Sequence, residues 1–282
     1  MMRRIGWPIV ILLLTLSCAP VKMVKLPQPF KSTPDEEKNV DRLLARWEQW
    51  NAGAKTFDCR FKRWIYDKTF GPANEPKFVD LGTIKYAAPD YGLYRLDTAE
   101  KDGKEYPIED ARAEHWVFDG KSLTECNYVR RQIIEHKLPP DFQGTRLVDG
   151  PLTFPPAGLS LVLFGVPANP YPFAAKAKEL KKQYYLREIT SPAARHDEIW
   201  FEAYPRSPAL ATVFQKLQLI FRANDMSPYA MKMVQPNGKD YIVYQFFDIA
   251  VNASPTPPSN DPFHPAVPRG WQKIAEEPPA AR

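Results

Sequence analysis
The chain has 282 residues, 44% of them hydrophobic and 25% charged, the composition of an ordinary globular protein long enough for one large β domain or two smaller ones. Its formal net charge of +5 is mild, and no block of lysine and arginine tracks along it, which excludes nucleic-acid binding as its business. Thirty prolines gather in stretches such as "VPANPYPF" and "SPTPPSNDPFHPAVP", marking loops and ends rather than element interiors.

In chain order, Arg3-Arg4 precede the apolar run "IVILLLTL", too short to span a membrane and shaped like a secretory leader. Ser17 stands before Cys18, so cleavage there would leave a cysteine able to take a lipid. This resembles a bacterial lipoprotein signal, with Thr15 where leucine is usual; ordinary export with Cys18 lost in the leader is the other reading. The expected organisation is a leader over 1–17, a linker over 18–32, a folded unit over 33–274 and a tail over 275–282.

"STPDEEKNVDRLLARWEQWNAGAK" reads as a helix. Ser32 or Thr33 caps it, Asp35-Glu36-Glu37 suit its positive end, and Val40, Leu43, Leu44, Trp47 and Trp50 form one apolar stripe ending at Gly53. Strands follow. "TFDCRFKRWIYD" alternates Phe57, Cys59 and Phe61 against Asp58, Arg60 and Lys62. "FVDLGTIKYAAP" and "YGLYRLDTAE" come next, then a hairpin at Asp119-Gly120 that pairs Trp116–Phe118 with Leu123–Val129. "FPPAGLSLVLFGVP" fits a buried strand or a brief helix, and "AAKAKELKKQ" fits a helical turn or two. "YYLREI", "DEIWFEAYP", "FQKLQLIFR" and "YAMKMVQ" resume the strands, ending in a hairpin for which Asn237-Gly238 predicts a two-residue turn. Its last strand is apolar on both faces, with Tyr241, Val243, Phe247, Ile249 and Val251 on one and Ile242, Tyr244 and Phe246 on the other.

About ten short antiparallel strands and one N-terminal helix predict a mainly β (α+β) fold, a single highly curved antiparallel sheet forming a half-open barrel with a short helical lid. Such a sheet is about 50 Å wide and one helix covers about 10 Å of it. Its inner face must curl on itself or stay open to something apolar. The expected cavity wall is Phe57, Phe61, Tyr86, Leu93, Trp116, Phe118, Tyr244 and Phe246, with Leu161, Leu163 and Phe164 at the lid. Cys59 and Cys126 fall on the first and fifth strands of the meander, roughly 19 Å apart in a flat sheet, and a disulfide needs Cα atoms within about 7 Å. Two free, buried thiols are therefore expected.

Catalytic patterns are missing. "GLSLV" lacks the second glycine of a nucleophile elbow, glycine-rich phosphate loops are absent, and His115, His136, His196 and His264 are scattered without metal spacing. The expectation is a non-enzyme with no cofactor and no metal.

The order of these elements resembles the periplasmic lipoprotein carrier superfamily, the LolA-like and mycobacterial-type lipoprotein proteins, and an uncharacterised bacterial envelope family grouped with them. The resemblance lies in "VDRLLARWEQWNAGAKTFDCRF", "GTIKYAAPDYGLYRLD", "HWVFDGKSLTECNYVRRQI" and "FHPAVPRGWQKI", in that order, over nearly all of the chain past the leader. It implies a half-barrel that holds acyl chains without catalysis, a lipid or acylated partner, an envelope location with a Cys18 anchor, and a monomer. Shuttling carriers of this kind have an arginine just before the turn proline, where this chain has Ala88, so their lid latch is not carried over. The rival expectation is a structural or interaction module whose barrel is filled by its own side chains.

Overall fold
The computed structural model describes residues 25–72, 74–88, 91–138, 177–191, 195–253 and 261–276. Helix α1 spans Pro34–Ala52. A reciprocal capping box starts it: Thr33 Oγ1 accepts from the Glu36 amide at 3.3 Å and Glu36 Oε2 accepts from the Thr33 amide at 2.8 Å. Strands β1 (Thr56–Tyr66), β2 (Phe78–Ala87), β3 (Tyr91–Lys101), β4 (Lys104–Pro107), β5 (His115–Asp119), β6 (Ser122–Asn127) and β7 (Gln132–Lys137) follow. Then come α2 (Ala177–Gln183), β8 (Tyr184–Ile189), β9 (Glu198–Pro205), a single helical turn α3 (Pro208–Ala211), β10 (Lys216–Arg222), β11 (Pro228–Val234), β12 (Tyr241–Val251) and β13 (Gln272–Glu276).

These strands share one open sheet in the order β13-β7-β6-β5-β3-β2-β1-β12-β11-β10-β9-β8, with β4 pairing β3 outside that path. The half-open, mostly antiparallel architecture is the expected one, with four particulars changed. β13 lies parallel to β7, Gln272 opposite Gln132. The chain leaves β12 at one end of the sheet and crosses to the other before entering β13, so its direction matches β7. β13 also continues through Glu276, past the boundary expected for a tail. The Asn237-Gly238 turn is longer than predicted: Gln235 and Asp240 close it, the Gln235 amide donating to Asp240 O at 2.8 Å, and only Gly238 of the pair has positive φ. β6 ends at Asn127, short of Val129.

The stripe Val40, Leu43, Leu44 and Trp47 packs on Ile199, Phe201 and Phe221, so α1 covers the inner face of β8–β10. The other half of the inner face carries an aromatic core on β1–β3, β5, β6, β11 and β12. Trp50 packs against both clusters, its ring 6.4 Å from Phe57.

The doubly apolar strand β12 has a local explanation. Arg60 pairs with Phe247 and Asp58 with Ala250, so Asp248 and Ile249 together face Cys59. Asp248 takes φ 51° and forms a bulge that reverses the alternation. Ile242, Tyr244 and Phe246 point inward before it, and Ile249 and Val251 point inward after it. The outward side chains are roofed by cations: Arg60 lies over Phe247 at 5.4 Å, and Lys232 over Tyr241 at 4.0 Å.

Candidate ligand-binding site
Register brings seven of the eight expected wall residues together. Phe57 faces Tyr86 across β1–β2, Gly92 faces both Tyr86 and Phe118, and Phe61 faces Phe246. With Trp116 and Tyr244 these side chains form one buried cluster. Gly82 makes the packing possible. A Cβ there would lie 2.3 Å from Phe61 Cζ and 2.4 Å from Arg95 O, so its absence lets the Phe61 ring cross β2 and stack on Tyr94 at 5.1 Å.

Leu93 is elsewhere. It is buried, but it pairs with Lys85 and Val117 in the row of side chains that points to the outer face. That face carries Tyr91, against which Phe263 packs at 5.6 Å, and Tyr128, against which Trp271 packs at 5.2 Å. The crossing segment that leads to β13 thus straps the outer side of β3–β6. Leu161, Leu163, Phe164 and Cys18 lie outside the described residues. Cys59 and Cys126 are free and buried. Cys59 is in the inner row, while Cys126, opposite Ile133, is in the outer one. Burial pushes the Cys59 thiol far up and Cys126 up to about 11.

Sequence reasoning missed the polar floor of the aromatic cluster. Arg63 continues the inward row of β1, its Nε and Nη2 donating to Asp80 Oδ2 at 3.1 and 2.8 Å. Its Nη1 donates to Glu114 Oε1 and Oε2 at 3.0 and 3.1 Å and to Tyr94 Oη at 3.3 Å. Arg112 reaches the other Asp80 oxygen and lies over the Phe78 ring at 4.0 Å. Burial holds Glu114 above the usual carboxylate range despite Arg63, and raises the Tyr94 and Tyr244 hydroxyls. Two cations and two carboxylates close this end of the half-barrel with their hydrogen bonds mutually satisfied. Spacing gives no sign of it, because the partners are 17 and 51 residues from Arg63.

The opposite end is open. β11 begins only at Pro228 while β12 runs on to Val251, and the notch between them, beside Trp50, holds a groove of about 770 Å³. Phe246, Ile249, Val251 and Trp50 give it an apolar patch continuous with the aromatic cluster. Arg195, Arg222, Asp225, Ser227, Gln245 and Asp248 make much of the rest of its surface, more polar than apolar on the whole, and the two guanidinium groups lie 5.4 and 4.5 Å from the Tyr229 ring. Of the expected wall, only Phe246 lines it. The available signal was Asp248, an acidic residue inside an otherwise apolar strand, which marks the bulge. Among the described residues no group of histidine, cysteine or carboxylate side chains could hold a metal ion, and no helix is long and apolar enough to cross a membrane.

No protein-family model matches the chain, and no curated protein is similar to it. Solved structures are. An uncharacterised conserved protein from Thermus thermophilus aligns over 84% of this chain and 99% of its own, at 11% identity and a TM-score of 0.43. A LolA superfamily protein from Nitrosomonas europaea aligns over 77% and 94%, at 10% identity and a TM-score of 0.33. A putative outer membrane lipoprotein-sorting protein domain from Vibrio parahaemolyticus aligns over 76% and 94%, at 8% identity and a TM-score of 0.31.

Proposed function
We propose that the chain is a non-enzymatic cell-envelope protein that binds acyl chains or similarly apolar ligands through the mouth of its half-barrel. One observation carries this reading: an open groove of about 770 Å³, polar over much of its surface, leads from solvent onto an apolar patch of Trp50, Phe246, Ile249 and Val251. Its volume falls within the roughly 300–1,000 Å³ usual for small-molecule sites. Each methylene buried there contributes about 0.8 kcal/mol, so a twelve-carbon chain offers roughly 10 kcal/mol before the costs of association. The basic, apolar N-terminal run ending at Cys18 suits an exported protein, tethered to a membrane if that cysteine is lipidated.

The test is native mass spectrometry of protein purified from its exporting cell, with displacement of a fluorescent fatty acid as the solution counterpart. Bound acyl chains are expected, and Ile249→Asp, which puts a charge in the groove lining, should abolish displacement. No co-purified lipid and no fatty-acid binding would overturn the reading.

A second reading is favoured by the filled interior. Phe61, Tyr94 and the Arg63 cluster occupy the space that a deep acyl chain would need. In that case the chain is an interaction module of the envelope, and the purified protein would be free of lipid yet retain a protein partner.

A further inference from the structure
The end of the sheet opposite the groove presents an unusual set of side chains. Phe70, in the loop between β1 and β2, is 89% exposed. The other large hydrophobics exposed among the described residues are Tyr106 on β4, Val129 in the β6–β7 turn and Val267 in the segment before β13. The strand directions put Phe70, Tyr106 and Val129 at this same end, while Val267 lies in the crossing segment that leads to it.

Phe70 does not simply dangle. Asp67 Oδ1 accepts from the amides of Thr69 and Phe70 at 3.2 and 2.7 Å, and the Gly71 amide donates to Asp67 O at 2.8 Å. A Cβ on Gly71 would lie 2.5 Å from that oxygen, so the turn requires its glycine. The loop is built to hold the ring outward. At the base of the same loop Tyr66 stacks on Tyr241 at 4.5 Å, with the Lys68 and Lys232 amines over the rings.

Lys239 in the neighbouring hairpin turn extends the basic surround, while Lys77 is paired with Asp67 at 2.8 Å. Lys68, Lys232 and Lys239 stand against Asp240, bound within the two loops, and Glu75. Burial first, and then the nearby Lys216 and Lys68 amines, lower the pKa of Lys232.

We infer that this end of the half-barrel docks on an anionic phospholipid bilayer, Phe70 entering the interface and the lysines meeting the headgroups. An exposed ring over stacked tyrosines among lysines has the chemistry of a membrane interface, where aromatic rings sit at headgroup depth and long basic side chains keep their amines in water. A protein pocket would also accept Phe70, but it would not need the lysines around it.

The test attaches an environment-sensitive fluorophore to the exported protein through Phe70→Cys and, as a control near the mouth, Ala52→Cys at the exposed end of α1. On adding phosphatidylglycerol-rich vesicles the label at 70 should brighten and shift to the blue, reversibly with salt, while the label at 52 stays unchanged. Phosphatidylcholine vesicles should act weakly. Lys239→Ala should weaken vesicle association about fivefold, the usual effect of one basic residue near such a surface. If position 70 stays in water on vesicles that retain the protein, or responds to an envelope protein fraction and not to lipid, the inference fails. Neither result bears on fatty-acid displacement at the groove.

Discussion
The Arg63 guanidinium grips Asp80 through Nε and Nη2, 3.1 and 2.8 Å from one carboxylate oxygen, with the aspartate wholly buried. Neither charge has water to fall back on. Removing one partner strands the other, a change that usually costs about 3–5 kcal/mol. Arg63→Ala and Asp80→Ala are both expected to lower the urea midpoint strongly, and the double variant should recover part of the loss. If each single variant unfolds like the wild type, the cluster does not close the barrel floor.

Gly82→Ala tests the crossing of Phe61 over β2. The new methyl group meets a ring edge, which can shift, and the Arg95 carbonyl, which cannot. Overpacking of this kind costs about 1–3 kcal/mol. Adding Phe61→Leu should restore little, because the carbonyl clash remains, and chemical denaturation of the three proteins would show whether it does.

What the sequence made legible was what is local. The cap at Thr33, the α1 stripe and the inward row of β1 all follow from short-range pattern, and those residues sit where the pattern puts them. Leu93 went astray because β3 is apolar on both sides: Tyr94 and Leu96 face the aromatic core, while Tyr91 and Leu93 face the strap. Choosing between the faces needs the crossing segment, about 170 residues later. The Arg63 cluster was hidden for the same reason, since no spacing rule joins β1, β2 and the segment before β5.

Glu202 gives a pH test. Burial works against its charge, yet hydrogen bonds from Lys216 and Arg187 bring it down from 4.5 to about 2. A carboxylate lowered on folding contributes stability that is present above its unfolded value and lost as pH falls through the folded one. The thermal midpoint should therefore decline between about pH 4.5 and 2, and Glu202→Gln should flatten that part of the curve.

The two thiols predict a clean kinetic contrast. Thiolate is the reactive species, and burial raises both cysteines. Neither Cys59 nor Cys126 should react with a thiol reagent at pH 8 until denaturant opens the fold, and both should then react. Reaction of Cys59 in the native protein at the full rate of a free thiol would mean that the inner face is open to water.

The bulge at Asp248 offers the sharpest test of the fold and of the groove together. One extra residue opposite Cys59 turns Ile249 and Val251 inward, where they pack with the aromatic core and line the mouth. Deleting Asp248 leaves Phe247, Ile249, Ala250 and Val251 in plain alternation opposite Arg60, Cys59, Asp58 and Phe57, so Ile249 and Val251 should both stay inward. The Asn252 clamp, whose Oδ1 accepts from the Lys55 amide at 2.6 Å and whose Nδ2 donates to Gly53 O at 2.7 Å, keeps its register as well. The deletion should therefore keep fatty-acid binding. Asp248→Val keeps the residue count but holds a β-branched side chain at a φ of 51°, a strain of about 1–3 kcal/mol that should lower the thermal midpoint by several degrees. A deletion variant that loses its fatty-acid binding would show that the inward face of β12 depends on more than this count of residues.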